Sequence, residues 1–400
     1  MLIKCILLLC VFQITFGRYE PNWESIDSRP LPAWFDESKQ NFFNAEEWAS
    51  LLNISGAKYV VMVGKHHEGF TMWPSNYSWN WNAMDVGPKR DLIGEVGAAI
   101  RAKTKLHFGI YHSLFEWFNP LFERDRSNAF KTQDFIAAKT MPELYELVNK
   151  YKPDIVWSDG SHAADDWYWN STTFLSWLYN DSPVKDTVVV NDRWGINVNC
   201  IHGGFLNCGD RFNPKVLKKR KWENVMTLDK YSAGYRRNAK LTDYFTMLEL
   251  LTEVAQTVSC GGNILINIGI TKEGTVVPIY QDILTKLGKW LTVNGEGIYS
   301  SKPWTTQNDT ISNYVWYTSK VINNEPFVYA IMLAWPQNNT LVLGAPKTSS
   351  TTVVSMLGYT GGNFSWKPNP AGGIQIMLPS MNVNEIPCND AWVIKIQGVQ

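Results

Sequence analysis

Between about residues 44 and 300, short β-branched runs alternate with amphipathic helical stretches. That order is the pattern of βα units around a parallel sheet. Six runs read as strands: Tyr59–Val63, His107–Tyr111, Asp154–Trp157, Thr187–Val190, Glu223–Thr227 and Ile264–Ile268. The helices between them carry their own signals. Asn44 with Glu47 forms a capping-box pattern ahead of Trp48, Leu51 and Leu52. Pro142 opens a stretch whose Leu144, Leu147, Val148 and Tyr151 share one face, and Ile283, Leu284, Leu287 and Leu291 repeat that spacing later. From about Pro303 the helical period gives way to alternation, in Val315–Tyr317, Phe327–Ile331, Thr340–Leu343, Thr352–Met356, Ile374–Leu378 and Trp392–Ile396. Turn residues separate these runs, which predicts an antiparallel β-sandwich. The expected fold is therefore an α/β chain, a (β/α)8-type barrel over residues 18–300 followed by an all-β domain over 301–400.

The start of the chain has a different character. One lysine precedes a short apolar run ending near Gly17, which reads as a secretory signal peptide over residues 1–17. No later apolar run is long enough to cross a bilayer. Seven Asn-X-Ser/Thr sequons, at Asn53, Asn76, Asn170, Asn180, Asn308, Asn338 and Asn363, agree with a secretory route to the lysosome or the extracellular space. With Cys5 and Cys10 in the leader, Cys200, Cys208, Cys260 and Cys388 remain in an oxidising compartment. Cys200 and Cys208 flank a short Gly-containing loop and are the preferred pair, while Cys260 reads as a buried thiol. No Cys-X-X-Cys or His-X-X-X-His spacing supports a zinc site. Thirty-seven basic residues balance 37 acidic ones, so no field exists to hold nucleic acid. Nineteen tryptophans offer flat faces of the kind that stack on sugars, although a tryptophan-rich core uses them equally well.

In a barrel of this kind chemistry gathers at the C-terminal ends of the strands. Polar residues cluster there: Lys65-His66-His67-Glu68 after the first run, Tyr111-His112-Ser113 after the second, Ser158-Asp159-Gly160 after the third, Asn191-Asp192-Arg193 after the fourth. A single His or Arg among these is as readily structural as functional; a ring of them on one barrel face points to a site. Asp159 stands out, because it ends an apolar strand and precedes a glycine that lets the chain turn away. The plainer reading is an Asp capping the next helix. Glycoside hydrolysis needs a second carboxyl group with a raised pKa, and Glu223 beside Trp222 is the expected partner.

With these motifs assembled, the chain resembles the animal α-L-fucosidases of the retaining fucosidase family. The likeness runs from Arg18 to Gln400 through Arg29-Pro-Leu-Pro-Ala-Trp-Phe-Asp-Glu, Lys65-His-His-Glu-Gly-Phe, Trp157-Ser-Asp-Gly, Val190-Asn-Asp-Arg-Trp-Gly, Lys221-Trp-Glu, Gly234-Tyr-Arg-Arg and Ser301-Lys-Pro-Trp. The resemblance implies an exo-acting enzyme that trims fucose from glycoproteins or glycolipids, needs no cofactor or metal, and is commonly oligomeric. It implies Asp159 as nucleophile, Glu223 as general acid/base, and His66, His67, Tyr111, Trp157 and Arg193 as fucose-binding residues. The chain also departs from the family. Phe35-Asp-Glu-Ser-Lys-Gln40 leads directly into Asn41-Phe-Phe-Asn, so the first barrel strand and its fucose-binding histidine are expected to be missing between Gln40 and Asn41. Gly160-Ser-His-Ala-Ala-Asp165 replaces a Gly-Glu-Trp-Glu pattern, and Ile270 stands where proline is usual. A competing expectation follows: a secreted fucose-binding protein that kept Asp159 and lost catalysis.

Overall fold

The computed structural model describes residues 42–399 and the backbone of residues 9–13. Strand β1 (Leu9–Gln13) is followed by α1 (Ala45–Ile54), β2 (Tyr59–Lys65), α2 (Leu92–Lys103), β3 (His107–Ser113), α3 (Pro120–Ser127), α4 (Met141–Tyr151) and β4 (Ile155–Asp159). Next come α5 (Asp166–Trp169), α6 (Ser171–Asn180), β5 (Val189–Val190), β6 (Trp222–Thr227), α7 (Met247–Ser259), β7 (Gly262–Gly269) and α8 (Pro278–Asn294). The strands form one parallel sheet in the order β5-β4-β3-β2-β1-β7-β6. Residues 204–206 bridge its two ends: Gly204 and Phe205 donate backbone N–H bonds to Val190, and Leu206 pairs with Lys221 and Glu223. The sheet thereby closes into a barrel. All six expected barrel strands are present.

The slot expected to stand empty is occupied. β1 lies between β2 and β7, with Leu9 opposite Tyr59 on one side and Leu265 on the other. This strand belongs to the apolar run read as a leader. The physical reason is that a central parallel strand, covered on both faces, wants a continuous apolar run, and this one supplies it. The rest of the expected signal peptide, the Arg29–Glu37 motif and the Gln40–Asn41 junction lie outside the described residues.

The helices follow their sequence signals. Asn44 caps α1 by accepting from the Glu46 and Glu47 amides, and Trp48, Ala49 and Leu52 of that helix are buried. In α4, Leu144, Leu147, Val148 and Tyr151 form the buried face. Inside the barrel, Tyr59, Val61, Val63, Tyr111, Ile155, Trp157 and Leu265 pack together, while alternate residues such as Val60 and Met62 face the helical layer. That is the period-two division of a strand with two covered faces.

Beyond α8, β8 (Lys302–Asn308), β9 (Val315–Ile322), β10 (Glu325–Met332), β11 (Thr340–Leu343), β12 (Thr348–Met356), β13 (Ser365–Pro368), β14 (Ile374–Met377) and β15 (Trp392–Val399) build the β domain. A five-stranded antiparallel sheet, β12-β15-β10-β9-β8, faces a three-stranded one, β11-β14-β13. Val315, Val328, Ile394 and Ile396 of the first meet Leu341, Leu343, Ile374 and Ile376 of the second. Trp290 of α8 donates its indole N–H to the Ala391 carbonyl at 2.8 Å and ties the sandwich to the barrel. Cys200 and Cys208 form a disulfide, and Cys260 is a buried free thiol. Among the sequons, Asn53, Asn76, Asn180, Asn338 and Asn363 are exposed, whereas Asn170 and Asn308 are half-buried. The Asn308 amide is engaged with the Asn313 and Val315 carbonyls.

Candidate active site

A cavity of about 280 Å³ opens at the C-terminal ends of the strands, lined by His66, His67, Tyr111, Trp157, Asp159 and Arg193 together with Asp210, Arg211, Thr227, Tyr231 and Asn267. It is small for a drug-sized ligand and suits one sugar ring. Six of the seven residues expected at the site therefore meet around one opening.

Asp159 ends β4. Gly160, at φ +76°, turns the chain immediately below the Phe115 ring, where a Cβ would stand 2.4 Å from Cδ1; only glycine permits this turn. The Asp159 carboxylate accepts the Tyr111 hydroxyl at 2.7 Å on Oδ2 and Arg193 Nη1 at 2.9 Å on Oδ1. His67 Nε2 lies 3.8 Å from Oδ2. Burial raises the carboxyl pKa most strongly, but Arg193, His67 and the Tyr111 bond outweigh it and hold the group well below the usual carboxylate range. Asp159 is ionised and pre-oriented.

Arg193 follows β5 and is carried into place by side-chain bonds to β4. Asn191 Oδ1 accepts from the Ser158 amide at 3.1 Å, Asn191 Nδ2 donates to the Ser158 carbonyl at 2.8 Å, and Ser158 Oγ donates to the Arg193 carbonyl at 2.6 Å. The guanidinium carbon lies 4.7 Å from the Trp157 ring centre. Trp157 in turn stacks on Tyr111 at 5.4 Å, and Tyr111 on His66 at 5.8 Å. One face of the cavity is thus a column of flat groups.

His67 is held by Ser113 Oγ at 2.7 Å from Nδ1 and stacks on Phe115 at 4.5 Å. Burial, reinforced by His66, lowers its pKa to about 3, so the imidazole is neutral near pH 7. The loop that presents both histidines is pinned from beneath. Lys65, fully buried, bonds Glu116 at 3.0 Å and Glu143 at 2.7 Å. The Glu116 side chain packs against Gly69, whose φ of +84° leaves no room for a Cβ, and the Trp117 amide donates to the His67 carbonyl at 2.7 Å.

Glu223 is not brought to the cavity. It is the second residue of β6, near the N-terminal end of a strand whose C-terminal end, Thr227, reaches the opening. Its side chain is 1% exposed. It accepts bonds from the Tyr59 hydroxyl, from Trp157 Nε1 at 2.9 Å and from Asn207 Nδ2 at 3.0 Å. Burial raises its pKa against the pull of those three bonds. The expectation that Glu223 faces the sugar is corrected here: strand direction puts it inside the barrel, beneath Trp157.

Asp210 was not anticipated. Its side chain is 74% exposed at the cavity wall and accepts Arg193 Nη2 at 2.6 Å, so one guanidinium bridges Asp159 and Asp210. It sits two residues past Cys208, in a loop gathered by buried Asp192, whose carboxylate accepts from the Cys200, Asn207 and Cys208 amides. The Cys200–Cys208 pair is the signal in the sequence that a loop here is fixed rather than free. Among the described residues no cluster of His, Cys, Asp and Glu could hold a metal ion.

Comparison with known proteins bears on the family and the fold. A family model described as "Alpha-L-fucosidase" matches residues 39–296, and one described as "Alpha-L-fucosidase C-terminal domain" matches residues 307–397. The chain is 48% identical to an alpha-L-fucosidase of Branchiostoma floridae, over 98% of this chain and 99% of that one. It is 50% identical to the human tissue alpha-L-fucosidase, over 96% of this chain and 92% of that one. The Branchiostoma alignment spans 450 positions against 400 residues here, so at least 50 positions have no counterpart in this chain. The crystal structure of Thermotoga maritima alpha-fucosidase superposes with a TM-score of 0.74 at 27% identity, covering 90% of this chain and 81% of that one. The chain belongs to the alpha-L-fucosidase family of glycoside hydrolases.

Proposed function

We propose that this chain removes terminal α-L-fucose from glycoproteins or glycolipids with retention at the anomeric carbon, through a covalent glycosyl-enzyme on Asp159. The bridge that Arg193 makes between Asp159 and Asp210 carries the reading. In the first step Asp159 attacks the anomeric carbon, the glycosidic C–O bond breaks, and a carboxylic acid gives its proton to the departing oxygen. In the second, water attacks the same carbon, the ester to Asp159 breaks, and the conjugate carboxylate takes the proton. Asp210 fits the proton-transfer role, because it is the second carboxyl group on the cavity wall and is open to solvent. Arg193 ties both carboxylates to one guanidinium, and retention uses two carboxyl groups about 5–5.5 Å apart. Glu223 then serves as a support, fixing the Trp157 indole and the Tyr59 hydroxyl.

His66, His67, Tyr111 and Trp157 would hold the fucose hydroxyls and ring, and the Tyr111–Trp157 column offers an apolar face to the sugar's methyl group. The relatives named as tissue and plasma fucosidases and the exposed sequons favour a lysosomal or extracellular setting. No helix among the described residues is long and apolar enough to span a membrane. Family membership and the assembled cavity favour catalysis over the reading as a fucose-binding protein without activity. Proton NMR of an α-L-fucoside digest tests the proposal: α-L-fucose should appear first and mutarotate later. Initial release of β-L-fucose would show inversion and overturn it.

A further inference from the structure

The wall that carries Asp210 continues into Tyr231, which lines the cavity although its side chain is 70% exposed. Exposure alone means little, since Trp79 is more exposed and is not among the residues lining this cavity. The backbone beneath Tyr231 is what differs. Its amide donates to buried Asp229 at 2.8 Å. Arg236 clasps the same carboxylate at 2.8 and 2.9 Å and reaches Asp243 at 3.0 Å. Arg211, the neighbour of Asp210, donates to the Asp229 carbonyl at 3.0 Å, and Asn267 of β7 donates to the Ala233 carbonyl at 2.6 Å. An ion pair on buried Asp229 therefore holds an open aromatic face at the wall of a one-sugar cavity that Asp210 also lines.

We propose that Tyr231 is the platform for the pyranose to which fucose is attached, stacking on that sugar's apolar C–H face. The inference rests on the fucosidase reading above. An aromatic ring that lines the cavity wall and keeps most of its surface open to solvent can meet a second sugar, and so selects among fucosylated glycans by that sugar.

The test uses the full chain carrying Asp159→Asn, titrated calorimetrically with free L-fucose and with an α-L-fucosyl-galactose disaccharide. The disaccharide should bind about tenfold more tightly than fucose. Adding Tyr231→Ala should remove that gain, so that disaccharide and free fucose bind alike, Tyr231→Phe should keep it, and Trp79→Ala should alter neither affinity. A gain that survives Tyr231→Ala, or no gain at all, overturns the platform. Failure of free fucose to bind would instead overturn the fucosidase reading and take the platform with it. In the otherwise unmodified chain, Tyr231→Ala should slow hydrolysis of the disaccharide more than that of α-L-fucosyl fluoride, whose leaving group has no ring; an equal loss on both would contradict the assignment.

Discussion

Arg193 holds the Asp159 carboxylate at 2.9 Å through Nη1 while its Nη2 is engaged elsewhere on the same cavity wall. The fork geometry matters, because a lysine could neutralise one carboxylate but not span two. Replacing Arg193 by Gln should lower kcat/KM on a chromogenic α-L-fucoside by about 10²-fold or more. It should also move the acid limb. With the guanidinium gone, only His67 and the Tyr111 bond offset burial, the Asp159 pKa rises, and the nucleophile is lost to protonation at a higher pH than in the unmodified chain. A kcat/KM–pH profile whose acid limb stays put would contradict this.

Asp210→Asn and Glu223→Gln should separate by leaving group. If Asp210 delivers the proton, Asp210→Asn should cost about 10²–10⁴-fold on a glycan substrate and much less on α-L-fucosyl fluoride, which needs no protonation. Glu223→Gln removes a support shared by Tyr59, Trp157 and Asn207, so its loss should fall equally on both substrates. Steady-state kinetics on the pair decides.

Two histidines, buried His112 and half-buried His67, should make the fold sensitive to acid. Burial lowers His67 to about 3 and His112 to about 4, with His66 and Lys65 respectively adding to the effect. The free value is about 6.5. Between the two values the unfolded chain binds protons that the folded chain refuses, so stability falls as pH falls, by up to about 1.4 kcal/mol per pH unit for each histidine. Urea midpoints taken from about pH 7 down to about pH 5 should show the decline, and His112→Gln should flatten it.

Opening the disulfide should act on both stability and the site. Closing a loop of this length is worth about 2–3 kcal/mol in the chain-entropy account. Cys200→Ser with Cys208→Ser should lower the urea midpoint accordingly and raise KM more than the fold requires, because the loop also carries Asn207 and Asp210. Unchanged kinetics in the folded double variant would show that Asp192 alone holds the loop.

The barrel was legible because its strands are apolar runs closed by Gly or polar residues, and Asp159, Tyr111 and Trp157 were legible because strand ends of a barrel converge. Arg193 belongs with them, since Asn191 fixes it to the neighbouring strand. The misplacement of Glu223 has a clear cause: Lys-Trp-Glu begins β6 rather than ending it, and the same strand-end rule, applied with strand direction, sends the side chain downward. Asp210 carries no periodic signal. A long arginine side chain and a loop held by a disulfide bring it to the cavity, and neither shows in spacing along the chain. β8 and β13 escaped because Pro303 falls at the start of one and Pro368 ends the other, and both lie at sheet edges, where pairing on one side suffices. β1 was hidden for another reason, since four apolar residues and a glutamine serve equally as part of a leader or as a covered strand.

The direct test of the account is to trap the intermediate. The full chain is incubated with 2-deoxy-2-fluoro-α-L-fucosyl fluoride, an activated analogue whose fluorine slows both steps, and is then examined by intact mass and peptide mapping. The account predicts one added 2-fluorofucosyl group, in ester linkage on the peptide containing Asp159, and none in Asp159→Asn. An adduct on another residue, or turnover that persists without Asp159, would contradict it.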